Sequence, residues 1–290
     1  MDNPMVTVIC VCYNQGPFVR EAILSILNQT YRSVQLVVVD DGSCDDSVGA
    51  IRECLFHHPE IEFLPLLENR GYCKAFNHAL SHAKGDYIID FAADDILLPS
   101  RITKGVTALT RAGDQYGVHF TDAWWIAEDG SNLYRHSERF PHHSIPEGDI
   151  YKDLIQRFFI CSPTMMFRRK VIESLGGYDE SLAYEDFDFW IRSSRSFLYC
   201  YSPEALVKKR VVKNSMSHKQ FRIGSPQLAS TYKVCEKILQ LNQSRAEQRA
   251  LSQRIGYEMR VSLRLMNLPL VWKYAQLYLK NKRLDYEADI

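Results

Sequence analysis

Val34-Gln35-Leu36-Val37-Val38-Val39-Asp40-Asp41-Gly42-Ser43 joins a short, nearly continuous apolar run to a polar turn. Such a run, rich in β-branched residues, predicts a strand that is covered on both faces. A second run of this kind, Val6 to Val11, lies upstream, and the segment between them has apolar residues at helical spacing after Pro17. The three pieces predict a βαβ unit with two parallel strands.

The same alternation continues downstream. It predicts a helix over 46–56, a strand over 61–66, a helix over 72–83 closed by Gly85, and a strand over 87–91. Repeated alternation of strands and helices is typical of an α/β sandwich. Ligands of such sheets bind beyond the carboxyl ends of the strands, which is where Asp40-Asp41 and Asp94-Asp95 fall.

The second half of the chain has a different rhythm. The pattern predicts a helix over 99–111, a strand over 117–126 and a turn at 128–130, so this half is mixed α+β. Residues 139–150 lack periodicity and are a candidate lid. Beyond Gly224 only helical patterning is present, which predicts a helical appendage over 224–290.

Composition indicates an ordinary globular protein. The 290 residues are 46% hydrophobic, and 35 basic residues balance 35 acidic ones. This balance gives no overall attraction to nucleic acid, so we expect no nucleic-acid partner. The eight cysteines show no zinc-like spacing and are interpreted as buried, reduced thiols. The first residues do not resemble a signal peptide, and we expect a cytoplasmic location.

Two acidic clusters indicate two separate chemical roles, metal binding and proton removal. Asp94-Asp95 can anchor a divalent metal that neutralises a diphosphate, while the acidic start of the segment 184–192 can supply a base for a hydroxyl. Asp40 and Asp41 can accept the imide N–H of uracil or the hydroxyls of a ribose. A simpler alternative for that turn is helix capping by Ser43 and Asp46.

Several separate motifs together resemble family 2 glycosyltransferases of the GT-A fold. The resemblance covers residues 5 to 215, in order and with family-like spacing. It rests on Val8-Ile9-Cys10-Val11-Cys12-Tyr13-Asn14, the 22–29 helix, Val37 to Asp45, Glu68-Asn69-Arg70-Gly71-Tyr72, Gly85-Asp86-Tyr87-Ile88, Asp94-Asp95-Ile96-Leu97-Leu98-Pro99, Gly176-Gly177-Tyr178-Asp179 and Glu185-Asp186. It implies a GT-A domain over 1–223, with a nucleotide-binding half (1–98) and an acceptor-binding half (99–223).

The resemblance implies a set of donor-binding residues. Asp40 and Asp41 match the nucleoside-binding pair, and Lys74 is placed to face the diphosphate, although a solvated helix lysine is an equal alternative. The full set is Val11, Tyr13, Asn14, Asp40, Asp41, Asn69, Gly71, Lys74, Asn77 and Lys213. Lys213, or His218, stands where relatives often carry a histidine near the diphosphate, and a plain surface loop is the alternative.

The resemblance also implies a metal site at Asp94 and Asp95. These residues match the end of the family's Asp-x-Asp-Asp signature, but Ala92 replaces its first aspartate. The remaining pair suits Mn²⁺ or Mg²⁺, with Asp94 as the expected ligand. Ala92 puts the affinity for the metal and its identity in doubt.

The catalytic residues implied by the resemblance are Asp186, as general base, and Glu185, which orients the acceptor. A helix cap is the structural alternative for Asp186, and the two roles are compatible. Asp188 is interpreted as an exposed helix carboxylate.

The expected activity is inverting transfer of a single sugar from a nucleoside-diphosphate sugar to a hydroxyl of a glycan or lipid-linked acceptor. The resemblance favours a UDP-sugar as the donor. The chain lacks the Gln-x-x-Arg-Trp motif of processive synthases. A non-catalytic nucleotide-sugar-binding protein and a sugar nucleotidyltransferase are the alternatives. The apolar and basic tail suits membrane contact at the inner face, self-association, or packing on its own domain.

Overall fold

A computed structural model describes residues 3–140, 144–212 and 224–287. The chain forms two compact units. The first comprises Met1–Gly148, Phe159–Glu180 and Phe197–Val212, and the second comprises Asp149–Phe158, Ser181–Ser196 and Lys213–Ile290. These units do not coincide with the predicted division at residue 223, because residues 149–158 and 181–196 pack with the C-terminal helices.

The first unit contains a nine-stranded mixed sheet. Its strands are β1 (Val6–Cys12), β2 (Val34–Asp40), β3 (Glu62–Pro65), β4 (Tyr87–Ala92), β5 (Ile96–Leu97), β6 (Tyr116–Ile126), β7 (Asn132–Arg135), β8 (Met166–Arg168) and β9 (Leu198–Arg210). Their order is β3-β2-β1-β4-β8-β6-β9-β5, with β7 beside β6. Strands β1 to β4 are parallel to their neighbours within this group, as the alternation predicts.

Ten α-helices are present in the described residues. They are α1 (Gly16–Leu27), α2 (Ser47–His57), α3 (Tyr72–Leu80), α4 (Arg101–Ala112), α5 (Tyr151–Gln156), α6 (Arg169–Ser174), α7 (Asp186–Ser194), α8 (Pro226–Leu241), α9 (Arg245–Arg264) and α10 (Leu268–Glu287). Helices α5, α7, α8, α9 and α10 belong to the second unit. The predicted helical nature of the tail is therefore confirmed for residues 226–241, 245–264 and 268–287.

The main core of the first unit lies between its sheet and helices. Val6, Val8 and Cys10 of β1 and Val38 of β2 pack on the apolar stripe of α1. The residues Val6 to Ile9 of β1 and Val37 to Val39 of β2 are fully buried, as expected for central parallel strands, while Val34 at the start of β2 is half-buried. Burial on both faces fixes the strand register and with it the position of the strand ends.

The second unit is an assembly of helices around α5 and α7. Helix α9 packs on α5 and α10, and α8 packs on α7. Ser244 caps α9 in a reciprocal capping box with Glu247. Arg254 of α9 lies over the ring of Phe158 at 4.1 Å and donates to the carbonyl of Ile155 at 2.8 Å.

Some expectations about local structure are wrong. Ser43 and Asp46 do not cap α2; the backbone N–H of Ser47 instead donates to Asp45 Oδ1 at 3.0 Å. Strand β9 had no predicted counterpart, although the run Phe197-Leu198-Tyr199-Cys200-Tyr201 carries a strand signal. Cys44 is exposed and Cys200 is half-buried, whereas the other six cysteines are buried.

Among the described helices, none is both long and apolar enough to span a bilayer.

Candidate active site

The carboxyl ends of β1, β2 and β4 form one edge of the sheet. Cys12 of β1 lies opposite Asp40 of β2, and Val11 lies opposite Ala92 of β4. The backbone N–H of Asp41 donates to the carbonyl of Cys12 at 2.8 Å, and that of Ala93 to Val11 at 3.0 Å. This register places the two predicted aspartate pairs just beyond neighbouring parallel strands, where α/β sheets bind ligands.

Asp40 and Asp41 are both buried and organise two turns. Asp40 accepts hydrogen bonds from the backbone N–H and the hydroxyl of Ser43, at 2.9 and 2.5 Å. Asp41 accepts the backbone N–H groups of Arg70 and Gly71 at 2.7 and 2.9 Å. Burial raises the pKa of Asp41, and these two N–H groups oppose the rise. Each carboxylate oxygen accepts one of these hydrogen bonds, and a carboxylate oxygen has the capacity to accept a second.

The turn after β2 requires a glycine. Gly42 has φ +71°, and a Cβ there would lie 2.4 Å from the carbonyl carbon of Glu68. Asn14, at φ +53°, joins the same turn: its Oδ1 accepts the N–H of Cys44 at 2.8 Å and its N–H donates to Ser43 Oγ at 2.8 Å. The ends of β1 and β2 are therefore tied together, and the exposed ring of Tyr13 lies beside them.

The remaining predicted donor-binding residues lie on the 69–71 turn and on α3. Asn69 and Lys74 are exposed, while Gly71 ends the turn at φ +89°. Asn77 has a clear structural role. Its Nδ2 donates to the carbonyl of Tyr178 at 2.9 Å, and its Oδ1 accepts the N–H of Tyr178 at 2.9 Å. Both ends of this amide are used within the protein.

Asp90 lies two positions before Ala92, which is too early to replace the missing aspartate of the signature. It is buried in β4, and its two oxygens accept the hydroxyls of Tyr72 at 2.7 Å and Tyr178 at 2.8 Å. It thereby connects the start of α3 to the segment around Tyr178. Sequence reasoning missed this role, because no pattern in the sequence pairs Asp90 with these two tyrosines.

Asp94 and Asp95 have different environments. Asp95 is 2% exposed, and its Oδ1 accepts the backbone N–H of Arg210 at 2.8 Å, whereas Asp94 is half-buried. The pKa of both carboxyls is raised, chiefly by burial, and for Asp95 also by the charge of Asp94. The positive charges of Lys209 and Arg210 oppose the rise.

Arg210 bonds to several separate segments of the first unit, a role that sequence reasoning missed. It is buried at the end of β9, where its Nε donates to the carbonyl of Asp94 at 3.0 Å and its Nη2 to Glu21 at 2.6 Å. Its Nη1 donates to the carbonyl of Glu128 at 2.8 Å. These bonds fix the backbone that presents Asp94.

A divalent cation fits this geometry through Asp94. Such ions commonly take one or two protein carboxylates and complete their shell with phosphate oxygens and water. Asp95 suits a supporting position rather than direct binding of the cation, because its Oδ1 already accepts the backbone N–H of Arg210. Within residues 3–140, 144–212 and 224–287, no three His, Cys, Asp or Glu side chains converge on one point, so these residues offer no closed protein cage.

The predicted catalytic pair lies at the start of α7, in the second unit. Glu185 is the N-cap residue, and Asp186 is the first helical residue and half-buried. The backbone N–H of Phe187 donates to Asp186 Oδ1 at 2.7 Å. Behind them, Ala183 donates its N–H to Ser230 Oγ at 2.8 Å, so α8 supports this segment.

The interpretation of Asp188 as an exposed carboxylate is wrong. It is 1% exposed and forms ion pairs with Arg192 at 2.7 Å and with Lys237 of α8 at 2.6 Å. The helical period explains the difference, since position 188 faces α8 rather than solvent. Lys237, far away in sequence, gave no signal of this contact.

Two expectations concern residues beyond the described ranges. Lys213 and His218 lie within 213–223, which the structure does not describe. In the candidate lid, residues 141–143 are likewise not described, while Gly148 pairs with Tyr199 through two backbone hydrogen bonds of 2.7 and 3.0 Å.

The family of the chain is shown by comparison with known proteins. The model of the family described as Glycosyl transferase family 2 matches residues 7–176. EpsE of Bacillus subtilis (strain 168), a provisionally assigned glycosyltransferase, is 29% identical over 241 residues, which cover 81% of this chain and 84% of EpsE. The chain belongs to glycosyl transferase family 2 and is a glycosyltransferase.

Solved structures show the same fold. The fold is similar to that of Staphylococcus aureus TarS 1–349 in complex with UDP-GlcNAc (TM-score 0.70, 17% identity, 98% of this chain and 91% of that chain). It is also similar to that of mannosyltransferase PcManGT from Pyrobaculum calidifontis in complex with GDP-Man and Mn²⁺ (TM-score 0.63, 19% identity, 98% and 84%). These neighbours confirm the expected GT-A fold.

Proposed function

We propose that the protein is an inverting glycosyltransferase that moves one hexosyl or N-acetylhexosaminyl group from a nucleoside-diphosphate sugar to a hydroxyl. The acceptor is a glycan or a lipid-linked glycan in cell-surface polysaccharide synthesis, on the cytoplasmic side. The observation that carries the proposal is the register of β1, β2 and β4, which gathers Asp40, Asp41 and Asp94 at one sheet edge in a family 2 chain.

The nucleoside is proposed to bind beside Asp40 and Asp41. Their free lone pairs accept N–H and hydroxyl groups, and their existing bonds hold them in place before the ligand arrives. Val11, Tyr13 and Asn14 lie at the adjoining strand end, and Asn69, Gly71 and Lys74 lie on the neighbouring turn and helix. Asn77 contributes by fixing the backbone of Tyr178.

Asp94 is proposed to hold the metal, Mn²⁺ or Mg²⁺, with Asp95 behind it. When bound, the ion neutralises charge that develops on the departing diphosphate. Lys209, whose positive charge acts on both aspartates, adds to the positive potential at this edge. Lys213 stays a candidate for a further positive contact.

Asp186 is proposed to take the proton from the acceptor hydroxyl, with Glu185 orienting that hydroxyl. A carboxylate at the first position of a helix is stabilised in its charged, proton-accepting form by the helix dipole. The deprotonated oxygen then bonds to the anomeric carbon as the bond from that carbon to the diphosphate breaks. This single displacement inverts the anomeric configuration.

The identity of the base is the first thing to test. The neighbours carry UDP-GlcNAc in TarS and GDP-Man in PcManGT, so UDP and GDP are the two candidates. A thermal-shift panel of UDP, GDP, ADP and their sugars, with and without Mn²⁺, measures preferential binding, because a ligand of the folded state raises the melting temperature. We expect UDP with Mn²⁺ to give the largest shift. A response equal for all bases would contradict nucleoside recognition by Asp40 and Asp41.

A second measurement separates catalysis from binding alone. Ala92, in place of the family's first signature aspartate, is the observation that favours a binding-only role. Steady release of the nucleoside diphosphate from its sugar in the presence of acceptor would support transfer. Donor binding without release, across donors and acceptors, would support the binding-only alternative.

A further inference from the structure

Helix α10 has apolar side chains on two opposite faces. Leu270, Tyr274 and Leu277 are buried within the second unit. On the other side, Leu268, Trp272 and Leu279 are 64%, 64% and 61% exposed. At about 100° per residue, these three residues lie within roughly 40° of one another, opposite the buried face. We call Leu268, Trp272 and Leu279 the outer stripe.

Two further exposed apolar residues precede α10, one in the last turn of α9 and one in the connection between the helices. Leu263 is 58% exposed and Met266 is 80% exposed, and Met266 adopts φ +55°. Single apolar residues are common on protein surfaces, but an aligned row with two more exposed apolar residues shortly before it in the chain is typical of an interaction site. The buried face already explains how α10 packs, so the outer stripe requires a different explanation.

The charge around the outer stripe has one sign. Residues 259–284 contain six basic residues and no acidic one, and the first acid that follows is Asp285. The basic residues are Arg260, Arg264, Lys273, Lys280, Lys282 and Arg283, and all six are exposed. On the helical projection, Lys273 and Lys280 lie to one side of the stripe and Lys282 to the other.

We propose that the outer stripe and its flanking cations dock on the surface of a bilayer that contains anionic lipids, with α10 lying in the plane of the interface. Leucine side chains enter the acyl boundary, tryptophan favours the interfacial region, and long basic side chains extend to the headgroups. The inference is independent of the proposed donor and acceptor, since it uses only residues 259–284.

The charge distribution favours a membrane over a second copy of the chain. In a symmetric dimer the same patch meets itself, so the cations of both copies would face each other. No acidic residue in 259–284 is available to compensate them. An anionic lipid surface offers an apolar phase to the outer stripe and negative headgroups to the flanking cations.

Vesicle flotation of the full chain tests the proposal. The probes are vesicles of phosphatidylcholine alone and of phosphatidylcholine with 30% phosphatidylglycerol. The stripe variant is Leu268→Ser/Trp272→Ser/Leu279→Ser, and its control is Phe56→Ser, an exposed apolar residue of the first unit. The charge variant is Lys280→Glu/Arg283→Glu, and its control is Arg52→Glu/Arg111→Glu, two exposed arginines of the first unit. Circular dichroism confirms that each variant is folded.

We expect the wild type and both controls to float with the anionic vesicles and to bind the neutral ones at least tenfold more weakly. The stripe variant should lose at least tenfold in binding to anionic vesicles. The charge variant should lose the preference for anionic lipid, and raised salt should weaken wild-type binding. Absent binding, equal binding to both vesicle types, or equal binding by the wild type and the folded stripe variant would overturn the proposal. So would a dimer in sedimentation equilibrium that the stripe variant dissociates.

Discussion

Aspartates that are close in the sequence differ in their exposure and in their partners. Asp94 and Asp95 are adjacent, yet the backbone N–H of Arg210 occupies an oxygen of Asp95 while Asp94 is more accessible. Asp186 and Asp188 are two positions apart, yet Asp188 is neutralised by two cations at 1% exposure. Residue type limits which chemistry an aspartate can do, and these contacts favour Asp94 and Asp186 as the site residues to test.

Asp94→Ala should weaken metal-dependent donor binding at least tenfold and more than Asp95→Ala does. The reason is that Asp94 is half-buried, whereas Asp95 is buried and one of its oxygens already accepts the backbone N–H of Arg210. Isothermal titration of Mn²⁺ in the presence of UDP measures this, with Asp114→Ala, whose side chain is 93% exposed, as the control. Wild-type behaviour of both variants would place the metal elsewhere.

Asp186→Asn should reduce turnover about 100-fold or more, because the amide keeps the shape of the carboxylate but cannot accept the proton. Donor affinity should stay near that of the wild type. Turnover and donor affinity are measured side by side, with Glu236→Gln on the exposed side of α8 as the control. Retention of a tenth or more of the turnover would remove Asp186 from the role of base.

His136 should make stability depend on pH. It is buried, its Nδ1 accepts the N–H of Trp125 at 3.2 Å, and its Nε2 lies 2.9 Å from the carbonyl of Phe159. Burial lowers the pKa of His136 to about 4. The unfolded chain therefore takes up this proton first as the pH falls. Its contribution to stability is complete above about pH 6.5 and is lost between about pH 6.5 and 4, up to about 3 kcal/mol.

Urea unfolding between pH 4.5 and 7.5 measures this dependence. His136→Gln, which does not titrate, should give a shallower slope, and His78→Gln on the exposed side of α3 should leave the slope unchanged. Some slope should remain in His136→Gln, because burial also lowers the pKa of His119. An identical slope for the wild type and His136→Gln would contradict the assignment.

At the scale of elements, the strand ends and their turns decide where the candidate binding residues lie. The register of β1, β2 and β4 aligns the ends of the strands, and the turn at Gly42 lets the 68–71 segment approach Asp41. Helix α7 similarly owes its position to α8, through Lys237 and Ser230. In both cases a second element holds the segment that carries a candidate site residue.

Gly42→Ala should destabilise the protein and weaken donor binding at least tenfold. The added Cβ would lie 2.4 Å from a backbone carbon of Glu68, and backbone atoms cannot move aside cheaply. Gly176→Ala is the matched control, with a similar φ of +69° but no heavy atom within 4 Å, so only backbone strain of about 1 kcal/mol is expected. Melting temperature and UDP affinity are measured for both. Equal effects of the two substitutions would contradict the close-approach argument.

At the scale of the whole molecule, the tail is part of a unit that contains the predicted base. Helices α8 to α10 pack with residues 149–158 and 181–196, which include Glu185 and Asp186. The sequence suggested membrane contact, self-association or packing on its own domain for the tail. The packing gives it a second task, because α8 holds the segment that precedes α7.

A chain that ends at residue 223 should lose transfer while keeping donor binding. Removal of α8 to α10 exposes the apolar sides of α5 and α7, whereas the first unit keeps its own core. Limited proteolysis should cut within 181–196 in the shortened chain, and UDP affinity should stay within a few-fold of the wild type. Wild-type transfer by the shortened chain would show that the tail does not support the base.

The sequence by itself determined the order of strands and helices in the first hundred residues, because their burial pattern is local and periodic. It also indicated Asp40, Asp41, Asp94 and Asp186, since each follows or begins a recognisable element. Only the tertiary structure decided the roles of Asp90, Asn77, Asp188 and Arg210. Apart from Arg192, four positions from Asp188, the partners that define these roles lie 18 to 189 positions away in the sequence. A polar side chain takes its role from the group that faces it, and which group that is depends on how distant segments pack.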